Sequence, residues 1–158
     1  FLALLVLVLA PQTILFVGRV LVAEDLGGGV GDELSNIPAA LAMALVTSAV
    51  VGTLSAAIAA LTPRRSYATV AIVAVFLIPN VFAALLVFLE VGLVGQLAVF
   101  LSPADVLDGV NAFLFGTQPE NETVIEAGFE YGLYVVAAAA WIIGSLAVLL
   151  MRYRRLAT

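Results

Sequence analysis

Cysteine, histidine and lysine are all missing from this sequence. Without cysteine there is no disulfide, no thiolate nucleophile and no thiolate metal site, and the redox compartment is not legible. Without histidine, Ser-His-Asp catalysis, imidazole metal ligation and a histidine proton switch are excluded. Without lysine the chain cannot form an ordinary P-loop, in which a lysine reaches the terminal phosphates. The positive charge that remains is six scattered arginines, too few for a nucleic-acid face, so no nucleic acid is expected as a partner. Charged residues of both signs make up 11% of the 158 residues, against about 25% in a soluble domain. Apolar residues make up 64%, and the mean hydropathy is +1.21. A soluble fold of this size needs more polar surface than that. Lipid is the solvent that tolerates such a chain, so an integral membrane protein is expected.

Four long apolar segments are present, at about 1–23, 37–61, 66–89 and 127–151. Each is long enough for a helix across a hydrocarbon core of about 30 Å. Helices are expected because an open strand in lipid leaves its backbone groups without partners. The whole of 1–158 reads as one transmembrane domain. It begins at Phe1 with no charge before Arg19 and no basic leader, and is read as the C-terminal part of a longer protein.

The charges orient the spans. Arg64 and Arg65 lie between the second and third, and Arg152, Arg154 and Arg155 follow the fourth. Four spans with both termini in the cytosol put these five arginines inside, as the positive-inside rule requires, and every acid outside. Arg19 is the exception and snorkels to the outer interface near Glu24 and Asp25. A multi-pass plasma-membrane protein with a cytoplasmic C-terminus follows. Eleven acids, no lysine and a pI near 4.4 also point to a high-salt habitat, where acidic surfaces stay hydrated.

The stretch Ser66–Leu101 carries one charge, Glu90. As one helix it would be about 54 Å long, too long for one crossing and too short for two. A further crossing would also separate the two arginine clusters. Residues 91–101 are therefore expected to dip into the outer leaflet and return, or to lie on it. Ser102-Pro103-Ala104-Asp105 then starts a helix, with Ser102 as N-cap and Asp105 facing the helix dipole, and Gly116 ends it. Asp105, Asp108 and Asn111 share one side, and Val106, Leu107, Val110, Phe113 and Leu114 the other. The fold expected is all-α: four transmembrane helices plus an external re-entrant or interfacial helical segment at 91–116, between the third and fourth spans. Segment 102–115 either lies at the lipid interface or packs on the spans. Gly27–Gly29 reads as an outer loop.

Candidate functional residues are polar groups at membrane depth beside prolines: Gln12 and Thr13 after Pro11, and Asn80 after Pro79. Such a site serves either a substrate path or helix packing. Small residues recur every fourth position in the second span, at Ala40, Ala44, Ser48, Gly52, Ala56 and Ala60, with a weaker Ala140 and Gly144 pair in the fourth, and favour close helix approach. Arg64 and Arg65 are suited to lipid phosphates or a cytosolic partner, and otherwise anchor the topology. Glu90 and Glu130 sit near span ends and are read as solvated. Asn121-Glu122-Thr123 fits a glycosylation acceptor. No span holds paired acids, so no catalytic residue and no metal site is expected.

Several phrases, in order, resemble the permeases of type-2 ABC exporters, archaeal ones in particular. They are Ala59-Ala60-Leu61-Thr62-Pro63-Arg64-Arg65-Ser66-Tyr67, Phe76-Leu77-Ile78-Pro79-Asn80, Leu101-Ser102-Pro103-Ala104-Asp105-Val106-Leu107-Asp108-Gly109-Val110-Asn111, and Arg152-Tyr153-Arg154-Arg155. The resemblance covers about Pro38 to the C-terminus. It implies a six-helix permease domain of which these spans are the third to sixth, with an external re-entrant segment before the last. It implies a second permease copy, a separate cytosolic ABC ATPase subunit that binds and hydrolyses ATP, and no cofactor in this chain. Pro79 and Asn80 would then border the translocation path, and Arg64–Arg65 would meet the ATPase subunit. The chain itself would not be an enzyme, and without the missing spans it would not transport alone. The rival reading is a non-transporting membrane scaffold whose small-residue stripes pack on partner spans.

Overall fold

The computed structural model describes residues 26–62 and 64–154. The first expected span, with Gln12 and Thr13, lies outside the described residues. The elements in order are α1 (Leu26–Leu61), α2 (Arg65–Phe88), α3 (Leu93–Ala98), a single 3-10 turn (Val99–Leu101), α4 (Pro103–Phe115), α5 (Glu122–Ala127) and α6 (Gly132–Arg154), with no strand among the described residues. Three stretches are long and apolar enough to cross a membrane: Asn36–Leu61, Ser66–Phe88 and Gly132–Arg154. A fourth is added if Leu93–Leu101 and Pro103–Phe115, which meet at 91°, count as one bent span. This all-helical architecture fits a multi-pass membrane protein.

Two boundaries differ from the sequence reading. Residues 27–29 are helical and belong to α1. Each glycine costs a helix only about 1 kcal/mol relative to alanine, which does not stop α1 propagating from its long apolar body. The last long helix begins at Gly132, not near 127. Ala127 ends α5, Gly128 turns left-handed at φ 69°, and the chain re-enters a helix only after a further turn at 129–131.

The core forms around α4. Val106 and Val110 on α4 pack with Val50 of α1, Ala83 of α2, Ala98 and Val99 of the bent segment, Val124 of α5, and Tyr134 and Ala138 of α6. α6 lies along α1, and α4 packs on both. The Tyr134 ring seats directly on Gly109, where a Cβ would stand 2.2 Å from its Cγ. Of the small-residue stripe on α1, Ala44 and Ser48 are buried, whereas Ala56 is exposed. Gly144 of α6 faces open space. α2 keeps most of its surface uncovered: Val70, Leu77, Ile78 and Phe82 are exposed, and Phe88 is 79% exposed. In water each such side chain would forgo about 1.5–3 kcal/mol of burial, so an apolar solvent is the physical match for this face.

Where the bent segment sits can be read from helix rise. α1 and α2 are joined by a short turn at Arg64, so they run antiparallel. Asn80 is fifteen residues along α2 from Arg65, or about 22 Å. It holds Asp105 near the start of α4. Trp141 is thirteen residues from Arg154 on α6, or about 20 Å. Its Nε1–H donates to the Phe100 carbonyl at 3.1 Å. Two contacts on two different helices thus put the bend about 20 Å along each helix from its arginine end. From there α4 climbs, so that Gly109 meets Tyr134 near the other end of α6.

The Gly109–Tyr134 seat yields a direct test. Gly109→Ala should destabilise the protein by about 1–3 kcal/mol, the usual cost of overpacking a filled core. Denaturation of the purified protein in mixed micelles checks this, and Gly144→Ala, on the open face of α6, should change little.

Candidate functional site

The most polar place in the interior is the start of α4. Ser102 ends the 3-10 turn in an extended conformation and caps α4: its Oγ accepts the Asp105 backbone N–H at 3.2 Å. Pro103, with no N–H to satisfy, occupies the first turn. This local chemistry fixes Asp105 with its carboxyl turned inward, fully buried at 0% exposure. Its Oδ1 accepts two side-chain amides, from Asn80 of α2 at 2.6 Å and from Asn121 at 2.7 Å.

Asn121 has two roles. Its Oδ1 caps α5 by accepting the Thr123 N–H at 3.0 Å, and its Nδ2 reaches Asp105. One turn along α4, Asp108 accepts the backbone N–H groups of Glu120 and Asn121 at 3.3 and 3.0 Å. The two acids of α4 therefore clamp the 117–121 turn onto their own helix, and Asp105 also ties that turn to α2.

Among the described residues, three buried polar atoms have no hydrogen-bond partner: Asp105 Oδ2, the Tyr134 hydroxyl and Ser48 Oγ. Burial pushes the Asp105 carboxyl above its ordinary value. Ser102 and Asn80 oppose the rise, the nearby Asp108 charge adds to it, and Asn121 opposes it. Phe100 closes the site from above the bend, its ring 5.0 Å from that of Phe129 and 5.1 Å from that of Tyr134.

Of the residues singled out in the sequence, the structure brings two into this site, Asn80 and Asn121. The Asn80 amide nitrogen is committed to Asp105, and Pro79 stands half-buried beside it. Glycan attachment at Asn121 would take an amide that already serves Asp105. Arg64 lies elsewhere, exposed at the α1–α2 turn with its guanidinium 5.9 Å from the Tyr67 ring centroid, and Arg65 opens α2. Gln12 and Thr13 lie outside the described residues. Between the two readings of 102–115, packing on the spans holds: Asp105, Val106, Gly109 and Val110 are all buried.

Asp105 is the residue that sequence reasoning missed. The sequence puts it with Asp108 and Asn111 on one side of an amphipathic helix, and the acids weighed for depth are Glu90 and Glu130, which are exposed. The available signal was Ser102 three residues ahead of an acid, a capping pattern, in a helix that also carries Gly109 and Ala112, small enough for close packing. Among the described residues no group of His, Cys, Asp or Glu could hold a metal ion. The arrangement ties segments together and holds a carboxyl in an apolar interior.

No family model matches the chain, and neither a curated protein nor a solved structure does.

The Asn80–Asp105 bond makes a quantitative prediction. Asn80→Ala and Asp105→Ala, singly and together, should show a coupling energy of about 0.5–3 kcal/mol in a double-mutant cycle. Asn80→Leu alone should cost more than the roughly 0.6 kcal/mol average for membrane hydrogen bonds, because it leaves a buried carboxyl short of a donor. Unfolding in mixed micelles measures both.

Proposed function

We propose that the chain is part of the membrane-spanning permease of an ATP-driven ABC exporter. A second permease copy would complete the path, and a cytosolic ATPase subunit would supply the energy. The single observation that supports this most is the bent helical pair. The resemblance implies an external re-entrant segment just before the last span, and a 91° bent pair lies between the second and third of the apolar helices. In this reading the arginine ends face the cytosol and the bend enters from outside, stopping about a third of the way across a 30 Å core.

The roles then follow from position. Arg64 and Arg65 stand at the cytoplasmic turn, where an ATPase subunit or lipid phosphates would meet them. Asn80 carries any tilt of α2 to the external segment through Asp105. ATP binds the partner subunit, not this chain. The broad apolar face of α2 meets lipid or the second copy.

The intact protein, tagged and purified from its own membranes, tests this reading. It should bring down a cytosolic ABC ATPase, and the reconstituted pair should hydrolyse ATP. Arg64→Glu together with Arg65→Glu should cut recovery of that ATPase several-fold while leaving the permease in the membrane. A membrane protein recovered without any ATPase would favour the scaffold reading instead.

A further inference from the structure

We propose that Asp105 is a proton-binding site: with the proton on Oδ2 the carboxyl is neutral and the bent pair stays seated against α2 and α6, and loss of the proton unseats it. The inference rests on the surroundings of Asp105 and not on ATP-driven export.

The asymmetry of the two carboxyl oxygens carries it. Oδ1 is saturated by two neutral amides, at 2.6 and 2.7 Å, which suits the carbonyl oxygen of a neutral acid. Oδ2 is buried and meets no donor among the described residues. An ionised carboxyl shares its charge between both oxygens, so it would leave half a charge bare in an apolar core. A proton on Oδ2 removes that charge without moving any atom of the seat.

No cation among the described residues compensates the carboxyl. Every described element packed on α4 is accounted for. The described side chains of α1 hold no titratable group, and neither do α3 and the 3-10 turn. α2 offers the neutral Asn80, and its one described ionisable side chain is Tyr67, thirteen residues away. α5 has Glu122 and Glu126, both exposed. On α4 itself Asp108 is a like charge, occupied by two backbone N–H groups. α6 presents the Tyr134 hydroxyl, buried and unpartnered, with Tyr131 just before it; Arg152 and Arg154 stand at its far end.

The proton passes between Oδ2 and water, forming and breaking one O–H bond, with no other reactant. After its loss the anion needs a donor for Oδ2. The Ser102 hydroxyl beside the carboxyl favours the anion but does not outweigh burial, which leaves water and the Tyr134 hydroxyl, itself buried and unpartnered. Either requires α4 to shift against α6, and the Tyr134 ring is wedged on Gly109, so the seat loosens as a unit. The sign follows. The buried carboxyl holds its proton more tightly than one in water does. The seated state is therefore fully favoured below the ordinary carboxyl value of 3.8 and weakens as pH rises from there through the raised midpoint.

Infrared spectroscopy of the intact protein in lipid vesicles tests this. At neutral pH the wild type should show a protonated-carboxyl band at the weakly hydrogen-bonded, high-frequency end. That band should vanish on alkalinisation, with a midpoint well above the ordinary value, and be absent in Asp105→Asn at every pH. Asp108→Asn should retain it. Asp105→Asn, isosteric with the neutral acid, should keep the seat closed across the titration, read as unchanged amide-exchange protection at 99–110. A wild type with no such band at neutral pH, identical to Asp105→Asn, would show an ionised carboxyl paired with a cation and overturn the proposal. That outcome says nothing against the ATPase pairing, which is read separately by co-purification.

Discussion

Backbone polar groups at a bend inside an apolar bundle have no water to turn to, and the structure depends on how these are satisfied. The chain turns through 91° between α3 and α4. The Phe100 carbonyl, freed by the 3-10 turn, takes the indole N–H of Trp141. The Asp105 N–H, freed by the start of α4, takes the Ser102 hydroxyl. Asp105 then needs donors of its own and finds them in Asn80 and Asn121. Each side chain is present because the one before it left a group unpaired, and the series ends at one carboxyl oxygen without a partner.

The rest of the fold serves that bend. Gly109 lets the Tyr134 ring seat on α4, and Phe100 meets Tyr134 and Phe129 in tilted ring contacts at the bend. α2 holds the bend through Asn80 while leaving its other faces open. Mechanically, α2, α4 and the 117–121 turn share one carboxyl group. A tilt of α2 therefore reaches a turn forty residues on in sequence without passing through α6. Under the proposed function, that is the route by which closure of an ATPase at the arginine end would reach the opposite end of the bundle.

The apolar helices were legible because their signal is long and uniform: 37–61 and 66–89 needed only hydropathy and the Arg64–Arg65 break. The α4 helix was legible from its caps, Ser102 at one end and Gly116 at the other, which are local signals. The site was half legible. Asn80 stood out as a polar group deep in a span, but its partner lies 25 residues away and nothing in the spacing joins them. Asp105 was hidden by its own regularity: beside Asp108 and Asn111 it completes an ordinary polar helix face, and only tertiary packing turns that face inward. The start of α6 is set five residues early because Ala127, Gly128 and Phe129 extend the apolar run despite Glu130, and hydropathy does not register the left-handed Gly128.

The placement of the bend is the claim on which the rest turns, and it can be measured directly. Leu101 is exposed at the bend, so a nitroxide on Leu101→Cys in the natural cysteine-free background reports its depth without disturbing the core. In vesicles, relaxation by oxygen against relaxation by a polar nickel chelate should place this label inside the hydrocarbon, about 10 Å below the interface. The same label at Glu120 should be in water. Polar accessibility at position 101 equal to that at 120 would put the bent pair on the surface and contradict a bend set within the bundle.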